Sequence, residues 1–73
     1  MKMVTGSATF DEMVKKAVEL GSPDPCSGGI NWVWAKDFPT ADAAGAFNTF
    51  CEENGYETRG VYTTGTTFAV RYR

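Results

Sequence analysis

Residues 21–29 read Gly-Ser-Pro-Asp-Pro-Cys-Ser-Gly-Gly. Two prolines and three glycines in nine positions stop a helix and interrupt a hydrogen-bonded ladder, so the stretch predicts a loop. It divides the 73-residue chain into a short helical part before it and a strand-rich part after it. Neither part is large enough to hold a core alone, and the whole is expected to form one domain over residues 1–73.

Before the loop, Thr9 and Glu12 are spaced as a capping box, and Asp11 and Glu12 fall in a first turn, where the helix dipole favours negative charge. Phe10, Met13, Val14, Ala17 and Val18 recur at helical spacing, and Gly21 follows Leu20 as a stop. A helix is predicted over 9–20. Met1 to Val4 offer a candidate short N-terminal strand.

After the loop, Ile30 to Lys36 alternate as a strand until Asp37-Phe38-Pro39. This strand carries both tryptophans. Ile30, Trp32 and Trp34 form its most apolar face and are expected to turn inward, with Trp34, nearer the strand end, partly exposed. Thr40 then caps a second helix with the stripe Ala43, Ala44, Phe47, Phe50 and Cys51, closed by Asn54-Gly55. Gly45 within it either admits a close neighbour or merely lowers helix propensity. Tyr56–Tyr62 and Thr66–Tyr72 are two further strands. A three-residue turn Thr63-Thr64-Gly65 would pair Tyr62 with Thr66. That register places Tyr62, Phe68, Val70 and Tyr72 on one face, and Arg59, Val61, Ala69, Arg71 and Arg73 on the other.

The predicted fold is α+β, in the order α-β-α-β-β. Two helices pack on one face of a three- or four-stranded, mainly antiparallel sheet as a two-layer sandwich. Ten aromatic residues supply the bulk a domain this small needs.

The chemistry is narrowed by what is missing. Histidine is absent, which removes Ser-His and Cys-His nucleophile pairs and imidazole metal sites. The carboxylate pairs Asp11/Glu12 and Glu52/Glu53 are sequence neighbours, which do not face each other on a helix. Cys26 and Cys51 are expected as reduced thiols, Cys26 in a connector and Cys51 in the core. A thiol enzyme built on Cys26 would have no visible base. No catalytic, metal or cofactor site is expected.

A net charge of −2 and an isoelectric point near 4.9 argue against a general polyanion binder. No apolar run is long enough to span a membrane, and the first residues lack a signal-peptide core, so a cytoplasmic protein is expected. The expected function is non-enzymatic binding of another macromolecule, most of all a protein. Small domains of this kind include inhibitors and adaptors, some encoded by phages and other mobile elements. Arg59, Arg71, Tyr72, Arg73 and Trp34 are the expected partner-binding residues. The alternative is a single-stranded nucleic-acid module that stacks bases on exposed aromatics and holds phosphates with arginines.

Overall fold

The computed structural model describes residues 8–28 and 32–73. Its elements are α1 (Phe10–Glu19), β1 (Asp24–Gly28), β2 (Val33–Phe38), α2 (Ala41–Glu53), β3 (Thr58–Thr64) and β4 (Thr67–Tyr72). The sheet runs β1-β2-β4-β3, with every neighbouring pair antiparallel. Both helices cover one face of it. The predicted succession of helix, strand, helix, strand and strand is present, with β1 added ahead of β2. Because β4 is antiparallel to both β2 and β3, those two strands are parallel, and α2 is the crossover between them.

The helices begin and end as their sequences dictate. Thr9 and Glu12 form a reciprocal capping box, and the Thr40 side chain accepts from the Ala43 backbone amide. At the end of α1, the Ser22 amide donates to the Ala17 carbonyl and the Gly21 amide to the Val18 carbonyl. These paired bonds make a Schellman motif. Ser22 is buried, and its hydroxyl donates to the Lys36 carbonyl, fastening the end of α1 to β2.

The loop expected over 21–29 is corrected by β1. Proline is excluded from a central strand because it cannot donate to both neighbours, but an edge strand has only one. β1 is such an edge, and its register shifts between Asp24 and Ser27, the interval that contains Pro25. A bulged edge strand therefore absorbs a composition that would break an inner one. The candidate strand Met1–Val4 and the expected inward placement of Ile30 lie outside the described residues, as does the Cys26 side chain.

The core sits between the helices and one sheet face. Met13 and Ala17 of α1, Ala44, Phe47 and Cys51 of α2, Ala35 and Phe38 of β2, and Val70 and Tyr72 of β4 are all buried. Phe47 is its hub, with ring centroids 5.4 Å from Phe38 and 5.7 Å from Tyr72. Tyr56 stacks edge-on to Tyr72 at 5.3 Å and donates its hydroxyl to the Ala8 carbonyl at 2.6 Å. That bond closes the domain across a separation of 48 residues. A Cβ at Gly45 would meet nothing within 4 Å, so this glycine admits no close neighbour.

Two expectations about strand faces are overturned. In β2 it is Val33 and Ala35 that face the helices, which turns Trp34 to the opposite side. The hairpin turn is also one residue shorter than expected. Thr64 pairs with Thr67 around Gly65-Thr66, and Tyr62 pairs with Ala69. Gly65 has φ +67 and comes first in the two-residue turn, the glycine position of a type II′ hairpin, whose twist suits the flanking strands. The shift exchanges Tyr62 and Val61 between faces. A homodimer through unpaired backbone at Phe68 to Arg73, which the sequence also admits, finds no free edge, because β4 is a central strand.

Candidate functional site: an arginine-covered aromatic face

The sheet face away from the helices is built by parity. Trp34 lies directly opposite Arg71, and Tyr62 opposite Ala69, so all four share one face. Trp32, two residues before Trp34, and Arg73, two after Arg71, extend the same rows. Arg59 reaches this face because the β3 register shifts between Thr58 and Val61, around Gly60 at φ +85. Without that extra residue, Arg59 and Tyr62, three apart, would point to opposite sides. Glycine supplies the positive φ that the bulge requires.

The geometry of the face depends on a small residue at its centre. β2 and β3 are separated by β4, a gap of about 10 Å at ordinary strand spacing. Side chains on them meet only if the intervening residue is short. Ala69 is that residue, and Trp34 and Tyr62 come together edge-on with centroids 5.4 Å apart. Ala69 is fully buried although it belongs to no helix-covered core, because the open-face side chains cover it.

Guanidinium groups lie over these rings. The Arg71 guanidinium is 5.2 Å from the Trp32 centroid, 5.2 Å from Trp34 and 5.1 Å from Tyr62. Its Nη2 donates to the Tyr62 hydroxyl at 2.8 Å. Arg73 stacks on Trp32 at 4.4 Å and Arg59 approaches the same ring at 5.3 Å. Each contact of this kind contributes about 0.5–2 kcal/mol, more as water is excluded. Trp32, Trp34 and Tyr62 are consequently only partly exposed.

The charges are unequally satisfied. Arg73 Nε donates to Glu57 Oε1 at 3.0 Å, and the two residues also exchange backbone hydrogen bonds. Arg59 and Arg71 have no carboxylate partner among the described residues, and Arg71 Nε is buried without a hydrogen bond. Among the described residues, the face therefore holds two guanidinium groups that are oriented by rings rather than neutralised by acids.

The expected partner-binding residues divide accordingly. Arg59, Arg71, Arg73 and Trp34 converge on the open face. Tyr72 does not: it is 2% exposed, on the helix side, between Phe47 and Tyr56. The alternation that places Arg71 and Arg73 outward requires Tyr72 inward. Trp32 and Tyr62 belong to the site and were missed by sequence reasoning. The available signal was the matched spacing of Trp32/Trp34 and Arg71/Arg73, which suits rows facing one another across adjacent strands.

Among the described residues, no group of three or more histidine, cysteine or acidic side chains gathers where it would hold a metal ion. Among the same residues, no helix is long and apolar enough to cross a membrane. Compared with family models, curated proteins and solved structures, the chain matches none.

Proposed function

We propose that this is a non-enzymatic protein-binding domain, of the inhibitor or adaptor kind, which docks an acidic protein surface on its open sheet face. The observation that carries this reading is Arg71, held against three rings with no acidic partner among the described residues. Tryptophan, tyrosine and arginine are the residues that most often dominate protein interfaces, and here six of them share one face. Prior orientation of the guanidinium groups reduces the entropy lost when a carboxylate binds.

Single-stranded nucleic acid is the second reading, favoured by the shared placement of rings and arginines. It is the weaker one. Guanidinium groups already lie over the rings where bases would stack, and a net charge of −2 opposes a polyanion.

The test is affinity capture with the tagged wild-type domain and with the Arg59→Glu/Arg73→Glu variant, followed by titration of each captured protein. Both arginines are exposed, so the variant should keep its fold, checked by circular dichroism. The expected result is a protein partner whose affinity falls at least about tenfold in the variant and weakens with salt. Equal affinity for both forms would remove the face from consideration. Quenching of tryptophan fluorescence by an oligothymidylate at low salt, with no protein captured, would favour the nucleic-acid reading.

A further inference from the structure

A second surface lies on the helix layer. Only Met13 and Ala17 of α1 enter the core, whereas Phe10 and Val18 are each 54% exposed. With Val14 they are spaced i, i+4, i+8 and form a stripe that lies outside the core cluster. The other flank of α1 is occupied: Lys16 pairs with Glu19 at 3.0 Å and lies over the Phe50 ring of α2. Beside the stripe stand Asp11 and Lys15, both exposed and neither in an ion pair among the described residues. An open groove of about 570 Å³ runs from Lys16 and Phe50 across Glu12 and Glu19 and borders the stripe at Val14 and Val18 without reaching Phe10.

The stripe is complementary to itself. We propose that a second copy of this chain occupies it, with the two α1 helices antiparallel about a two-fold axis at Val14. Phe10 and Val18 are each four residues from Val14, so Phe10 of each copy packs on Val18 of the other, while the two Val14 side chains meet on the axis. In an antiparallel pair, matching flanks face each other. Asp11 then comes within about 3 Å, measured along the axis, of the level of the partner's Lys15, and the reverse pair forms by symmetry. Each Lys15 thus meets the partner's Asp11 on one side and, at the same axial offset of about 3 Å, the partner's Lys15 on the other, so two attractive pairs stand against one repulsive pair, and apolar side chains meet along the whole stripe. A parallel pair would bring opposite flanks together, and Asp11 would not meet Lys15. The contact involves few side chains and falls below the roughly 1,200 Å² of a stable interface, so the dimer is a weak one. Because α1 lies on the helix layer, both open sheet faces stay free, and the dimer presents two of them.

Sedimentation equilibrium of the whole chain from about 10 µM to about 1 mM tests this, since weak interfaces associate in that range. The expected result is a mass rising from 8.0 kDa toward twice that value. Val18→Glu should hold the protein at the monomer mass. Lys15→Asp should weaken association several-fold, and Asp11→Lys/Lys15→Asp should restore it. These positions are exposed, and circular dichroism would verify that each variant keeps its fold. Monomer mass at every concentration would overturn the proposal. So would a dimer that Val18→Glu leaves intact. Neither result bears on the sheet face, whose arginines lie in the other layer.

Discussion

The two faces of the sheet bury aromatic rings by different means. On one face, Phe38, Phe47 and Tyr72 are covered by helices and are 0–2% exposed. On the other, Trp32, Trp34 and Tyr62 are covered by the side chains of Arg59, Arg71 and Arg73 and remain partly exposed. The first cover is apolar and permanent, and it holds the fold. The second is charged: guanidinium groups cover the rings while keeping hydrogen-bond donors of their own. A small domain thereby adds apolar area to both sides of a single sheet without a third layer.

The contrast is sharpest in what substitutions should do. Phe47→Ala removes the hub of the helix-covered core and should lose about 3–5 kcal/mol, a large share of the roughly 5–15 kcal/mol that holds a domain together. Urea denaturation would show the domain unfolded or nearly so. Ala69→Leu, on the other face, forces a branched chain between Trp34 and Tyr62 and should lose about 1–3 kcal/mol. A neutral result there would mean that the two rings do not meet over β4. Trp34→Ala should cost less than Phe47→Ala, about 1–2 kcal/mol from its ring and cation contacts, with partner binding lost alongside. If Trp34→Ala unfolds the domain as thoroughly as Phe47→Ala, the two faces are not different in kind. Gly45→Ala belongs to neither face, and the added methyl meets nothing within 4 Å. It should raise stability by up to about 1 kcal/mol in the same denaturation experiment.

The elements were more legible in the sequence than their orientation was. Both capping sites and both helices are visible because they rest on residues within one turn of each other, Thr9 with Glu12 and Thr40 with Ala43. Strand faces are set by parity, and parity is inverted by a single inserted residue. The bulge around Gly60 and the two-residue turn at Gly65-Thr66 each shift it, so Tyr62 and Val61 exchange sides while the strands themselves remain where alternation predicts them. Asp37, with φ +64, lies where the β2 register shifts between Ala35 and Phe38 and lets Phe38 enter the core beside Ala35, three residues earlier. Nothing local marks it except that aspartate tolerates the left-handed region better than most residues. β1 is hidden because Pro25 forbids an inner strand but not a bulged edge one. Apolarity alone points the tryptophans inward. The arginines on the neighbouring strand, which cover them, carried the missing information.

Trp34 lies under Arg71, away from the helices, and this placement separates the two faces. Nuclear Overhauser contacts from the Trp34 indole protons test it most directly. The ring centroid is 5.2 Å from the Arg71 guanidinium and 5.4 Å from the Tyr62 ring. Contacts to the side chains of Arg71 and Tyr62, with Arg71 resonances shifted upfield by the rings, are the expected result. Contacts from the same indole to Phe47 or Met13 would place Trp34 in the core and contradict it.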